Sequence, residues 1–429
     1  KTVTSETEEI TIDNKKQKRK REKKAYREIR WDRLDNTAHL FPVIAGENMS
    51  NVYRISVTLT ELVQPDVLQQ ALNIVLPKMD GFNLLRMGVF WYYFEENGKP
   101  APKVREESNF PCRYIQQNQN HSYMFRVTYY KYRINLEVFH VLTDGMGGIN
   151  FLKKVGDSLN SGTSLNREDS FLKNYKKSSA KGYQTKKAYL LKGEHLGPGE
   201  FGVMHGYMQI PQLKEVCHRY GCSINEYLVS VYIWSVYTEC MKGMPSTSPI
   251  RVAVPVNLRP YFNSITTKNF FVMVSAEFHP TKEVYTFAEV LEIVRDNLRS
   301  QINREHLEKL FSYNVSNEKL LAARAVPLFL KNIAMKLVYT KSALANTTTI
   351  TNIGNIGVDE EYRPYVEMFH AFLAMSKGQH LKGTICYGST LVFSFSFDLK
   401  DVSVQRGFFR KIAADGIEVE LDTNGVTAD

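Results

Sequence analysis

A histidine and an aspartate four residues apart are the side chains best suited to acid–base chemistry. They stand in the stretch Phe139-His140-Val141-Leu142-Thr143-Asp144-Gly145. Histidine titrates near neutral pH and can take a proton from a reacting group, and an adjacent carboxylate can orient its ring. Among the ten histidines, only His140 is followed at the fourth position by Asp and then Gly. The stretch predicts a general base, with Asp144 either its catalytic partner or a structural residue.

The residues around His140 predict a strand that ends at the histidine. Apolar and polar residues alternate from Arg133 to His140, which is the period of a strand, and His140 falls on the apolar face. The glycine-rich segment Thr143–Gly148 continues no regular element, and helical spacing begins after it. Gly145 is expected to permit a close backbone approach or an unusual dihedral angle. An inward-facing histidine beside such a turn is well placed to act on a substrate in a cleft.

Elsewhere the pattern indicates a mixed α/β chain in which strands and helices alternate in both halves. Neither GxGxxG nor a Walker sequence is present, which argues against a nucleotide-binding Rossmann or P-loop protein. A polar stretch, residues 156–200, is predicted to connect the two halves. Strands are predicted at 51–59, 89–95, 123–130, 250–255, 269–278, 348–353, 383–387 and 391–397, and helices at 64–79, 211–218, from 223 onwards and at 287–308.

Length and cysteine content limit the class of protein. A chain of 429 residues exceeds the usual size of one core, so two lobes are expected, residues 30–190 and 191–429. The five cysteines are sparse and lack metal-ligand spacing, so no metal site is predicted and a reducing, cytoplasmic compartment fits. The sequence contains no uninterrupted apolar stretch of about 18 residues, so no transmembrane helix is predicted.

Most of the positive charge lies near the N-terminus. The net charge is +10, and Lys15–Arg30 supplies +8 of it, with ten basic residues against two acidic ones. The remainder is near neutral, which argues against specific nucleic-acid binding by the folded part. Residues 1–29 are predicted to be a disordered tail. The functional alternatives are attraction to a membrane surface, to an acidic acyl carrier protein or to nucleic acid.

The spacing His-x-x-x-Asp-Gly, from His140 to Gly145, resembles the signature of the CoA-dependent acyltransferase superfamily. That superfamily includes chloramphenicol acetyltransferase, peptide-synthetase condensation domains, plant BAHD acyltransferases and mycobacterial polyketide-associated acyltransferases. Condensation domains usually carry two adjacent histidines, and here the first position is Phe139. This departure disfavours a role in peptide assembly and leaves the second, catalytic histidine in place.

Three further segments resemble the superfamily in the expected order. Trp31–Asn36, with Phe41-Pro42, is similar to the opening of bacterial alcohol acetyltransferase-like proteins. Val254–Pro260, followed by Asn269-Phe270, is similar to the crossover region of the second half, and Thr351–Gly354 to a late Ser/Thr-Asn-x-Gly segment. The resemblance implies an α/β fold of two chloramphenicol-acetyltransferase-like lobes. Each would be a mixed sheet with flanking helices, and the active-site channel would lie between them.

The resemblance also implies roles for individual residues. His140 would be the general base. Asp144 would usually be structural in such proteins and pair with an arginine, for which Arg259 is the expected partner. Acyl transfer also needs hydrogen-bond donors for the oxyanion of the tetrahedral intermediate. The candidates for this role, or for positioning the substrate, are Thr351, Asn352, Gly354 and Asn269.

These observations favour direct acyl transfer from acyl-CoA to a hydroxyl or amine. No GxSxG motif and no cysteine beside a matching histidine is present, so no covalent acyl-enzyme is expected. Acyl-CoA would be a cosubstrate, with no permanently bound cofactor, and the acceptor a small alcohol, an amine or a lipid-like molecule. Two alternatives stay open: a condensation-type enzyme with an acyl carrier protein donor, and a non-catalytic binding protein on the same fold.

Residues 320–340 form a strongly apolar segment with the basic residues Arg324, Lys331 and Lys336. The segment is predicted to be a core helix kinked at Pro327. The alternative is an amphipathic lid, or a surface near the channel mouth that meets a lipid-like substrate. Together with the basic tail, that alternative would permit peripheral membrane contact.

Overall fold

The computed structural model describes residues 31–426, apart from positions 36, 80, 83, 157–185, 265 and 319–325. The predicted tail, residues 1–29, and most of the predicted connection 156–200 lie outside the described residues. Within them, strands and helices build a mixed α/β structure with two sheet-rich lobes, as predicted.

The described elements are numbered here in chain order. The strands are β1 Trp31–Arg33, β2 Val52–Leu59, β3 Leu84–Met87, β4 Tyr92–Glu95, β5 Arg105–Glu106, β6 Phe125–Tyr130, β7 Arg133–Phe139, β8 Gly202–Gln209, β9 Ile250–Asn257, β10 Phe271–Phe278, β11 Thr348–Asn355, β12 Val366–Leu373, β13 Leu381–Tyr387, β14 Thr390–Phe397 and β15 Val419–Thr423. The α-helices are α1 Phe41–Ile44, α2 Pro65–Val75, α3 Gly145–Gly156, α4 Ile210–Tyr220, α5 Ile224–Ser235, α6 Arg259–Phe262, α7 Phe287–Gln301, α8 Arg304–Glu318, α9 Leu328–Ala343 and α10 Ser403–Ala414.

The first lobe is built on a sheet with the strand order β12-β2-β7-β6-β5. Strand β12 comes from the second half of the sequence and pairs antiparallel with β2. Helices α2 and α3 bury Leu72 and Phe151 in the same apolar core as Leu136 and Val138 of β7. Strand β7 is therefore held on both edges and on one face, which fixes the position of the histidine that follows it.

The second lobe is built on a sheet with the strand order β10-β9-β11-β13-β14-β8-β15. Strand β11 runs parallel to both β9 and β13, whereas the other pairings are antiparallel, so the sheet is mixed. Helices α5, α7 and α10 contribute to its core, where the buried rings of Phe393 and Phe408 lie 4.4 Å apart. Burial of such aromatic side chains contributes to the stability of this core.

Side chains near the helix termini determine where several of these helices begin and end. The predicted capping box is confirmed, because Ser223 Oγ accepts from the Glu226 amide and the Glu226 carboxylate accepts from the Ser223 amide. The single helix predicted for 287–308 is wrong in extent, because the chain forms two helices that are separated at Ile302 and Asn303. Asn303 Oδ1 accepts from the His306 amide at 2.9 Å, which starts α8 as a new helix.

Helix α9 is not the buried core helix that its composition predicts. Of its residues only Leu328 and Ala343 are buried, whereas the side chains of Phe329, Ile333 and Leu337 are about 60% exposed (64%, 58% and 62%). The predicted kink is also wrong, because α9 begins immediately after Pro327, at a position where proline is tolerated. No helix in the described part of the chain is long and apolar enough to cross a bilayer.

Candidate active site

His140 follows the last residue of β7 and is enclosed by aromatic side chains from separate elements. Its ring stacks on Phe41 with ring centres 4.7 Å apart, and the rings of Tyr53 and Phe271 lie 5.1 and 5.9 Å away. Its backbone amide donates to the carbonyl of Asn51, the residue before β2, at 3.0 Å. The imidazole therefore has one defined orientation at the edge of a cavity.

Asn269 determines which ring nitrogen of His140 carries the hydrogen. The Asn269 side-chain nitrogen donates to Asp35 Oδ2 at 2.9 Å and to the His140 carbonyl at 3.2 Å. Its oxygen is therefore the atom that faces His140 Nδ1, at 3.0 Å. Because a carbonyl oxygen can only accept, Nδ1 holds the hydrogen and Nε2 keeps a free lone pair. Asn269, predicted as an oxyanion or substrate-positioning residue, thus has both of its N–H donors engaged with the protein.

The surroundings of His140 favour its neutral, basic form. Burial lowers the pKa of His140 below its ordinary value, and the negative charge of Asp144 opposes that effect. At neutral pH the ring is therefore uncharged, with Nε2 able to accept a proton.

Asp144 forms a two-pronged ion pair with Arg259 rather than a hydrogen bond with the imidazole. The two guanidinium nitrogens lie 2.8 Å from Oδ2 and 3.1 Å from Oδ1 of Asp144. The remaining guanidinium donors bond Asn257 Oδ1 and the carbonyls of Thr266 and Lys268. All five donors of Arg259 are therefore satisfied, as a buried guanidinium requires.

Asp144 also connects three segments that surround the histidine. Its carboxylate accepts from the amide of Gly147 at 3.1 Å, in the first turn of α3, and from the amide of Phe270 at 3.0 Å. Its backbone carbonyl accepts from the Tyr53 hydroxyl at 2.8 Å. Phe270 directly follows Asn269 in the chain, so the carboxylate indirectly fixes the residue that orients His140.

The glycines after Asp144 have different spatial requirements from those predicted. Gly145 begins α3 with ordinary dihedral angles, and a Cβ there would meet only Ile353, at an uncrowded 3.6 Å. A Cβ on Gly147 would lie 1.7 Å from Thr143 Oγ1, and one on Gly148 would lie 2.7 Å from the Tyr53 hydroxyl. The close backbone approach predicted at Gly145 therefore occurs two and three residues later.

The Thr351–Gly354 segment lies across the cavity from the first lobe, on β11. Thr351 lines the cavity, and its hydroxyl makes no hydrogen bond to the described residues. Gly354 adopts φ +85° at an irregularity in the pairing with β13, and its amide donates to Asn352 Oδ1 at 2.9 Å. Of the predicted oxyanion donors, Thr351 and Asn352 both line the cavity, and neither the Thr351 hydroxyl nor the Asn352 side-chain nitrogen donates to a described residue.

The cavity has a volume of about 470 Å³ and is lined by both halves of the chain. The first half contributes His140 and the start of α3, and the second half contributes Arg259, Phe271 and Thr351. Helix α9 also reaches the cavity with Tyr339, Ser342 and Ala343. This volume is sufficient for a small organic ligand.

A separate cluster of three side chains outside the cavity lining has metal-ligand chemistry. The ligand atoms of His195, His380 and Asp398 lie within 4.8 Å of one another, and His380 Nδ1 is 3.0 Å from Asp398 Oδ1. Imidazole and carboxylate groups at this spacing suit a divalent transition metal ion. The prediction of no metal site stays a prediction.

The chain matches no protein-family model and no curated protein sequence. Its fold is similar to that of TRI101 from F. graminearum, which was solved with coenzyme A and T-2 mycotoxin. The TM-score is 0.60, and the sequences are 11% identical over 91% of this chain and 99% of that one. It is also similar to the condensation domain of the monacolin K polyketide synthase MokA, with TM-score 0.58 and 10% identity over 91% and 97%. Polyketide synthase associated protein 5 from Mycobacterium tuberculosis gives TM-score 0.57 and 10% identity over 90% and 98%. The fold is that of the condensation-domain and CoA-dependent acyltransferase group.

Residues that orient His140 were partly missed by sequence reasoning. Asp35 and Phe41 belong to segments that resemble the superfamily, but the resemblance assigns neither residue a role. Asp35 holds the Asn269 amide at 2.9 Å across 234 positions of sequence, and Phe41 stacks on the imidazole. Tyr53 has no distinguishing sequence signal, because it occupies an ordinary buried position of β2.

Proposed function

We propose that this chain is an acyltransferase that moves an acyl group from acyl-CoA directly to a hydroxyl or amine, with His140 as the general base. The observation that carries the proposal is the fixed tautomer of His140, whose Nδ1 hydrogen is held by Asn269. A neutral imidazole with a free Nε2, at the edge of a cavity lined by both lobes, meets the geometric requirement for base catalysis.

In the proposed reaction, Nε2 of His140 removes the proton of the acceptor hydroxyl or amine as that atom attacks the thioester carbonyl. The resulting oxyanion receives hydrogen bonds from the Thr351 hydroxyl and from the first turn of α3 at Gly145, which line the same cavity. When the intermediate collapses, the carbon–sulfur bond breaks, and the imidazolium returns its proton to the departing thiolate. The base is thus regenerated without a covalent acyl-enzyme.

The neighbouring surface favours an acceptor with lipid character. Helix α9 exposes Phe329, Ile333 and Leu337, and the same helix lines the cavity at Tyr339. The helix carries three lysines and no acidic residue. An apolar, basic helix beside the cavity is suited to lipid-like molecules or an anionic membrane surface. A small alcohol or amine remains within the proposal, and TRI101, which has a similar fold, was solved with coenzyme A and the small molecule T-2 mycotoxin.

An acyl carrier protein is the alternative donor. Similarity to the MokA condensation domain is nearly as high as similarity to TRI101, with TM-scores of 0.58 and 0.60, so the fold favours neither donor. The basic segment 15–30 would attract an acidic carrier by charge.

The proposal is tested by measuring free thiol released from acyl-CoAs of increasing chain length, with short-chain alcohols, long-chain alcohols and amines as separate acceptor pools. We expect acceptor-dependent release and recovery of the acylated acceptor by mass spectrometry. Acyl carrier protein loaded with the same acyl groups is the parallel donor. Release with the carrier alone would replace acyl-CoA as the donor, and no transfer with either would favour a non-catalytic binding protein.

The pH dependence of transfer should report the lowered pKa of His140. The base works in its neutral form, so kcat/KM should rise with pH and reach half of its plateau below the ordinary histidine value of 6.5. Folding stability changes in the same direction: below pH 6.5 the unfolded chain binds a proton that folded His140 resists, so stability falls as pH falls. Melting temperatures measured at each pH separate the two effects. A half-maximum above pH 6.5 in fully folded protein would contradict this assignment.

A further inference from the structure

The active-site cavity contains a second polar group of side chains around Lys382. Lys382 lies on β13, lines the cavity and is 6% exposed. Its ammonium group donates to Ser376 Oγ, and Gln379, three residues after Ser376, accepts from the Thr349 hydroxyl at 2.9 Å. Ser376, Gln379 and Thr349 line the same cavity. We call Thr349, Ser376, Gln379 and Lys382 the lysine cluster.

The lysine cluster and the Asp144–Arg259 ion pair lie beside different positions of strand β9. Asn257 at the end of β9 bonds Arg259, the partner of Asp144, whereas Ala253 is in register with Thr349 of the cluster. Asn257 and Ala253 are four positions apart in β9, which corresponds to about 13 Å along the strand. One molecule can therefore place its reacting group near His140 and a second functional group at the lysine cluster.

Lys382 is incompletely partnered for a buried cation. An ammonium group has three N–H donors, and Ser376 Oγ is its one hydrogen-bond partner among the described residues. No described carboxylate lies within ion-pair distance of its nitrogen. An anion from the cavity would occupy the free donors and compensate the positive charge, which is the usual way in which a buried charge is stabilised.

We propose that the lysine cluster binds a carboxylate carried by the substrate, at the end remote from the group that reacts at His140. The inference rests on the proposed function in taking the bound molecule to be a substrate, but carboxylate binding itself does not require turnover. One lysine supplies a single positive charge, and Ser376 and Gln379 add neutral polar atoms. This set matches the single charge of a carboxylate better than the multiple charges of the CoA phosphates.

The test is calorimetric binding of hexanoate, octanoate and decanoate, with hexanol, octanol and decanol as neutral controls of equal length. We expect the carboxylates to bind about 10- to 100-fold more tightly than the alcohols, as for a hydrogen-bonded charge. Lys382→Met should abolish this preference and leave alcohol binding unchanged. Lys377→Met is the matched control, because Lys377 is an exposed lysine in the turn between Ser376 and Gln379 and is outside the cavity lining.

Three outcomes would overturn the inference. The wild type could bind carboxylates and alcohols equally, or the carboxylate preference could survive Lys382→Met. Alternatively, Lys382→Met could weaken the binding of desulfo-CoA and leave carboxylate binding unchanged. The His140→Ala variant should keep the carboxylate preference, so failure of acyl transfer alone leaves this result intact. A second measurement uses the wild type only. Octanoate should protect Lys382, but not Lys377, from reductive methylation at pH 7.5, as read by peptide mass spectrometry.

Discussion

Replacing His140 by alanine should reduce acyl transfer by about 100- to 10,000-fold, the usual contribution of a positioned general base. The acceptor proton would then have to leave to water, because no other described imidazole lines the cavity. Folding should be preserved, because the strand that precedes His140 is held by β2 and β6 on its two edges. Initial rates at saturating acyl-CoA, with circular dichroism and melting curves, check both expectations.

Two further variants separate base catalysis from packing. His140→Gln keeps a polar side chain between Phe41 and Tyr53 but lacks a base, and it should be as slow as the alanine variant. His218→Ala, at an exposed position near the end of α4, is the matched control and should keep full activity. Added imidazole should restore part of the rate to His140→Ala alone. Wild-type turnover in both His140 variants would exclude the proposed mechanism.

The local part of the site could be predicted from the sequence because it depends on short-range spacing. Alternation along β7 indicates the strand, and the glycines that follow indicate the turn and the start of α3. The resemblance added Arg259 as the partner of Asp144, and the structure places the two groups at 2.8 Å. The spacing of 115 residues between them could not have been obtained from periodicity.

The relay that orients the imidazole could not be predicted, because it depends on contacts between distant segments. Asn269 was expected to face the oxyanion or substrate, whereas its amide is held between Asp35 and His140. An asparagine can donate and accept at once, so its sequence position gives no indication of which neighbours it will meet.

Two errors in the fold prediction from sequence have a common physical origin. Apolar composition predicted a buried helix at 320–340, but α9 exposes most of its apolar side chains. Strand β12 was not predicted, and it joins the sheet of the first lobe although it lies in the second half of the chain. Composition indicates that a segment can be buried, and only the tertiary structure determines what covers it.

Replacing Asp144 by alanine should cost stability and rate together. The change removes both anionic partners of the Arg259 nitrogens and leaves the Gly147 and Phe270 amides without their acceptor. Loss of one member of a buried ion pair typically costs about 3–5 kcal/mol of unfolding free energy. Transfer should fall on the order of 100-fold, because displacement of Phe270 loosens the adjacent Asn269 that holds His140. Chemical denaturation and kcat/KM provide the measurements.

A double-mutant cycle distinguishes an ion pair from two independent structural residues. Asp144→Ala with Arg259→Met leaves no unpaired charge, so the double variant should be more stable than the sum of the single changes by about 1–3 kcal/mol. Glu305→Gln is the control, because its pair with Lys309 is exposed (79% and 55%) and should contribute nothing measurable. Unchanged melting and unchanged rate in Asp144→Ala would exclude the structural role.

The pH profile of Asp144→Ala adds a measurement that general loss of structure would not produce. The negative charge of Asp144 raises the pKa of His140, so its removal should move the half-maximum of kcat/KM to a lower pH than in the wild type. Global destabilisation would act in the opposite direction, because unfolding at low pH removes activity there. A downward shift measured well below the melting temperature therefore means that Asp144 positions and tunes the base electrostatically, without itself accepting a proton.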